Sequence, residues 1–216
     1  MMANTSERLP ALLPPEPRWP AIVALLSTAA LYFSLPERLT AGPNWLLPGI
    51  AVLLLIAAVS AHRSGRNQLN RMLGFLSSGV LTLALGWALG TLIAGLPGKR
   101  ESPTELLRSA VALWISNILV FASWYWRLDA GGPASRDARA SHNDGAFLFP
   151  QMIMKHNKAW RPGFVDYLFL AFNTSTAFSP TDVPILSGWA KWLMMLQSSI
   201  SLGTIAILAA RAINIL

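Results

Sequence analysis

The sequence predicts an all-α polytopic membrane protein: about five transmembrane helices, plus a re-entrant half-helix before the last span. Three observations carry this. Only 12% of the 216 residues are charged, against about a quarter in a soluble domain, while 53% are hydrophobic and the mean hydropathy is +0.45. The apolar residues come in blocks, several long enough to cross a ~30 Å hydrocarbon core. One block, Phe164 to Phe178, is too short to cross, and it runs into Ser179-Pro180-Thr181-Asp182 with Pro184 close behind. Proline has no amide proton and disfavours helix in the residue before it, so the helix should stop near Phe178 or Ser179. Broken backbone of this kind survives at membrane depth only where protein or a water-filled cavity shelters it.

Taken in order, residues 1–18 are proline-rich and polar and predict a disordered tail. The late start of the first apolar block and the lack of a clear A-x-A site argue against a signal peptide. Residues 19–126 predict four helices. The first runs from about Trp19 to Leu35 and stops at Pro36-Glu37-Arg38. The second runs from about Trp45 to Ala61, with Pro48 in its first turn, where a missing amide costs little. His62, Arg63, Arg66 and Arg71 form a basic connector to the third, about Met72 to Leu96. There Gly74, Ser78, Thr82, Gly86 and Gly90 recur every four residues, a helix-packing face. It serves either as a seam between subunits or as packing within one bundle. Ser102 or Thr104 can cap the fourth helix, about Leu106 to Trp126, with Glu105 at the positive end of its dipole. Trp124-Tyr125-Trp126-Arg127 closes it as an interfacial aromatic belt, and mid-span Asn117 is expected to bond a neighbouring helix.

Residues 127–163 predict a polar loop, flexible in its Gly-, Ala- and Ser-rich first half and apolar enough over Phe147 to Met154 to lie on the membrane surface. Residues 164–216 hold the half-helix and the last span, which opens at Trp189. In that span Gln197, Ser201 and Thr204 fall on one helical face. Intramembrane polar residues face a cavity or bond neighbouring helices, and both remain open here.

Seventeen basic against ten acidic residues give a net charge of +7. The arginines and lysines lie in short loops between apolar blocks, which predicts contact with the headgroups of the lipid bilayer rather than with nucleic acid. Cysteine is absent, the three histidines are scattered, and neither H-E-x-x-H nor G-x-S-x-G occurs. No metal, no cofactor and no enzymatic activity is expected.

Thr174-Ser175-Thr176-Ala177-Phe178-Ser179-Pro180-Thr181-Asp182 resembles the pore-helix end and selectivity filter of the potassium-channel superfamily, TxTTVGYGD. Thr174, Thr176 and Asp182 match, after an aromatic-rich helix and before a span carrying Gly203. The resemblance covers about the last fifty residues. The filter glycines correspond to Ser179 and Thr181, the tyrosine to Pro180 and the inner threonine to Ala177, so it does not extend to potassium selectivity. The whole chain resembles an uncharacterised group of small bacterial multi-pass membrane proteins with a pore-like C-terminal element, which implies a bacterial inner membrane. The channel resemblance implies a homo-oligomer, a tetramer, passing a monovalent cation passively. Residues 174, 176 and 177–182 would form its constriction and Gln197, Ser201 and Thr204 its cavity wall, with an acidic ring from Asp182. The alternative is a non-conducting structural or accessory protein acting through helix packing. The charge distribution places the N-terminus and the loop mouth in the cytoplasm, whereas the channel resemblance places that mouth outside.

Overall fold

The computed structural model describes residues 14–95, 102–139, 144–154, 160–176 and 183–213. Eight α-helices are found among them: α1 (Trp19–Phe33), α2 (Leu46–Arg63), α3 (Asn67–Gly95), α4 (Pro103–Leu128), α5 (Pro133–Asp137), α6 (Pro150–Ile153), α7 (Phe164–Thr176) and α8 (Gly188–Ile213). Four of these, α2, α3, α4 and α8, are long and apolar enough to cross a membrane. Helix α1 is apolar but has only 15 residues, just under the spanning range of ~17–25.

Helix α4 is the axis of the bundle. It packs on α1, α3, α7 and α8, whereas α2 packs on α1 and α3. Its start is fixed locally: the Ser102 hydroxyl caps the Glu105 amide while the Glu105 carboxylate reaches back to the Ser102 amide. Its core-facing stripe, Ala110, Leu113, Asn117, Phe121 and Tyr125, is almost fully buried. The cross-contacts set the direction of its neighbours. Arg18 lies over Trp126 at one end of α1, and Arg38 reaches Glu105 beyond the other, so α1 and α4 run antiparallel.

Helix α3 shows where a four-residue repeat meets a 3.6-residue turn. Gly74, Ser78 and Thr82 turn inwards: a Cβ on Gly74 would collide with the Arg127 guanidinium, Ser78 is buried, and Thr82 Oγ1 accepts a hydrogen bond from Trp124 Nε1 at 2.9 Å. Each four-residue step rotates the face by ~40°, so Gly90 lies about 160° from Gly74. Gly86 and Gly90 accordingly sit on the exterior, with open space where a side chain would be. Ala84, Leu85, Ala88 and Leu92 take over the inward face.

The segment expected as a flexible polar loop is folded in its described parts. Gly131 and Gly132, both with positive φ, turn the chain so tightly that a Cβ on Gly132 would stand 2.8 Å from the Arg127 carbonyl oxygen. Arg136 is thereby carried under the end of α4, where its Nη1 donates to the carbonyls of Trp126 (2.8 Å) and Asp129 (3.0 Å). Its Nη2 pairs with Glu16 at 3.1 Å, and its guanidinium lies over the Tyr167 ring. Asp129 accepts from the Tyr167 hydroxyl and the Ala146 amide, both at 2.5 Å.

Residues 14–18 belong to this network rather than to a free tail, which corrects that part of the disorder expected for residues 1–18. Glu16 is buried and takes a 2.6 Å hydrogen bond from Trp126 Nε1, while Arg18 and Arg161 pair with Asp137. Composition signalled a tail because its partners lie more than a hundred residues away. Burial lowers the Arg18 pKa from its usual value, and the carboxylates of Asp137 and Glu16 push it back up. The predicted aromatic belt is corrected in the same way: Tyr125 and Trp126 are buried in the bundle, and Trp192 is the aromatic most open to the surroundings. Residues 1–13 and 140–143 lie outside the described residues.

Replacing Arg136 by methionine should leave the buried Glu16 with only Trp126 and the more distant Arg18, and deprive the Trp126 and Asp129 carbonyls of their donor. Removing one partner of a buried pair costs about 3–5 kcal/mol. Thermal unfolding in detergent should show a lower midpoint for Arg136→Met, and a larger drop than for Arg139→Met, whose partner Asp144 is exposed.

Candidate functional site

Helix α7 has 13 residues and is about 20 Å long, two-thirds of a hydrocarbon core. Its first turn is fixed by Asp166, whose Oδ2 accepts from the Gly163 amide at 2.8 Å. Where it lies follows from both its ends. Near its start, Tyr167 packs on Phe147, and Phe147 packs in turn on Trp189 in the first turn of α8. Phe147 also pairs with Ile185 in an antiparallel bridge, flanked by Leu148 N to Pro184 O (2.9 Å) and Leu186 N to Ala146 O (2.8 Å). The start of α7, residues 183–187 and the start of α8 therefore gather at one end of the bundle.

The far end of α7 is fixed against the middle of α8. Ser201 Oγ donates to the Ser175 carbonyl at 2.7 Å, and Gln197 Nε2 donates to the Ala171 carbonyl (2.7 Å) and Ser175 Oγ (2.8 Å). Contacts advance along both helices together, so α7 and α8 run parallel. Thr176 thus stands near the level of Ser201, roughly 20 Å along α8 from Gly188. The chain enters the bundle as a half-helix, and its next described residue, Val183, is back at the end it came from. This is a re-entrant element.

Helix α4 closes the network. Tyr125 donates its hydroxyl proton to Gln197 Oε1 at 2.5 Å, and Asn117 Nδ2 donates to the Gln197 carbonyl at 3.2 Å and to Ser175 Oγ at 3.5 Å. Asn117 thus bonds neighbouring helices, as a mid-span amide should. Trp114 packs edge-on against Phe172 on the same seam.

The residues singled out in the sequence fall into three groups. Gln197, Ser201 and Thr204 share one face as their spacing predicts, and all three are fully buried. Within a single chain that face is turned onto α4 and α7: Gln197 and Ser201 are bonded as above, and Thr204 returns its hydroxyl to the Ile200 carbonyl at 2.8 Å. Thr174 is buried and donates to the Leu170 carbonyl, while Thr176 is partly exposed and donates to the Phe172 carbonyl. Ala177, Phe178, Ser179, Pro180, Thr181 and Asp182 lie outside the described residues.

Sequence reasoning missed Ser175 and Tyr125 as members of this network. Ser175 was hidden in a run of small polar residues, and Tyr125 was assigned to an aromatic belt; only the packing of α4 against α8 brings them together. No cluster of three or more metal-ligating side chains occurs among the described residues.

Compared with protein-family models, curated proteins and solved structures, the chain matches none of them.

Gln197→Leu should remove three side-chain hydrogen bonds, leaving the Tyr125 hydroxyl buried without a partner and the Ser175 hydroxyl with only the 3.5 Å contact from Asn117. An unsatisfied buried group costs about 1–3 kcal/mol. Amide exchange in residues 164–176 should quicken in the variant, with residues 46–63 unchanged.

Proposed function

We propose that this chain is an oligomeric membrane protein whose α7–α8 module provides a passive path for monovalent cations. The observation that supports this best is the re-entry of α7. A helix C-terminus carries about half a negative charge in its unsatisfied carbonyls. Here that end stands near the level of Ser201, well inside the bundle. Ser201 already takes the Ser175 carbonyl, so the helix dipole rather than that oxygen is what would favour a cation. The resemblance of residues 174–182 to a filter segment adds the expectation that copies of the loop converge on a shared axis, four in the channel superfamily. Asp182 would then form an acidic ring at the mouth.

The bundle end that carries Arg18, Arg63, Arg66, Arg71, Arg127, Arg136 and Arg161 is also where the re-entrant element opens. By the positive-inside rule this end faces the cytoplasm of a bacterial inner membrane, the reverse of the potassium-channel arrangement.

Protein reconstituted into liposomes should collapse an imposed potassium or sodium gradient faster than empty liposomes do. Asp182→Asn should reduce the preference for cations over anions by several-fold. Intact gradients would overturn the proposal, and a leak whose selectivity ignores Asp182→Asn would remove that residue's role.

A second reading is favoured by the complete burial of Gln197, Ser201 and Thr204, whose hydrogen bonds stay within one chain. On this reading the protein does not conduct and acts by helix packing, using the exterior small residues Gly86 and Gly90. Gly86→Leu with Gly90→Leu should then dissociate a complex visible by size in detergent, while the liposome gradients stay intact.

A further inference from the structure

At the arginine-rich end, α1, α2, α3 and α4 leave a cleft between them. Its inner wall is apolar, formed by residues such as Ala21, Leu25, Leu55 and Ala58. Towards the loops it continues into a polar cavity of about 450 Å³ along Asn67, Arg71 and Gly131, the two parts sharing Asn70 and Arg127. That volume falls in the range of ~300–1,000 Å³ typical of small-ligand sites.

Arg127 sits at the junction. Its guanidinium lies against the backbone of Gly74, the small residue that makes room for it, and beside the Trp126 ring at 5.3 Å. Its Nε is buried and hydrogen-bonds to nothing, and among the described residues no carboxylate pairs with it. The nearby acids are already engaged: Glu16 with Arg136, Arg18 and Trp126, and Asp137 with Arg18 and Arg161. Arg63 and Arg71 at the rim likewise have no carboxylate partner among the described residues, and His62 also lines the cleft. Desolvating part of a guanidinium without a counter-charge is costly, and an anion arriving from outside would offset that cost at the half-buried Arg127.

The geometry points to an anion-binding site for a phosphate ester, with the half-buried Arg127 as its anchor, Arg63 and Arg71 as its rim, and the apolar wall of the cleft receiving an acyl chain. Cation at the headgroup level and hydrocarbon below is the order in which an anionic phospholipid presents its parts. No residue of α7 or α8 lines the site, and it does not depend on whether that module conducts.

Delipidated protein in a neutral detergent should be titrated with a phosphatidylglycerol, a phosphatidylcholine of the same chains, and inorganic phosphate, counting bound ligand by native mass spectrometry. Phosphatidylglycerol should bind about ten-fold more tightly than phosphatidylcholine. Arg127→Gln should erase that difference. Gly74→Ala keeps every charge but pushes the guanidinium from its seat. It should weaken phosphatidylglycerol binding too, as should the double variant Arg63→Gln and Arg71→Gln, which alters only exposed side chains. If inorganic phosphate competes with the lipid at millimolar levels, the site recognises phosphate as such; if it does not, the acyl chain is required. Equal binding of the two lipids with no phosphate binding, or a phosphatidylglycerol preference untouched in Gly74→Ala and in the rim double variant, would overturn the assignment.

Discussion

Everything at the C-terminal end of this protein depends on one amide side chain held between three helices. A half-helix inside a bilayer stays only where neighbouring protein or a water-filled cavity supplies the partners of its inner end. Gln197 does so: it donates to the Ala171 carbonyl and the Ser175 hydroxyl of α7, and accepts from Tyr125 of α4. Ser201 takes the Ser175 carbonyl, one of those left open at the end of the helix. The chain's own sequence sets how short α7 is, and side chains of α4 and α8 hold its end against the middle of α8.

The opposite constraint operates at the arginine-rich end. Ionic groups are buried there, and each of Glu16, Asp129 and Arg136 has several partners. Burying charges is tolerable only with this degree of compensation. The network ties residues 14–18, the end of α4, residues 129–137 and the start of α7 together, so the N-terminal approach to the membrane and the entrance to the re-entrant element are one structural unit. Phe147 serves the same unit without charge: fully buried, it joins Tyr125, Tyr167 and Trp189. Arg127, by contrast, is half-buried beside open space and has no carboxylate partner among the described residues, which is what makes the neighbouring cleft chemically distinct.

Much of the membrane architecture was legible in the sequence because it follows from length and composition. The bounds of α2, α3, α4 and α8 lie within a few residues of those expected, since an apolar block must be about as long as the bilayer is thick. The Ser102 cap and the short α7 were also legible, being set by neighbours in the chain. The face shared by Gln197, Ser201 and Thr204 was visible as periodicity, but the surroundings it meets were not. The packing role of Gly74 through Gly90 was misleading as a single face, because a repeat of four drifts around a helix of 3.6 residues per turn. Polar composition made residues 127–163 look loose, although Asp129 and Arg136 are among the most buried residues of the protein.

The sequence by itself determined that the chain is an all-α membrane protein and that one helix stops short of crossing; it predicted about five spans, of which four are long enough to cross. These properties depend on local hydrophobicity and on proline, both of which act within a few residues. Only the tertiary structure decided that α7 runs parallel to α8 and re-enters, that residues 14–18 lock under α4, and that Arg127 is left beside a cleft. The first two outcomes rest on hydrogen bonds and ion pairs between residues up to 147 positions apart. In an apolar bundle, partners must be found wherever the helices bring them together.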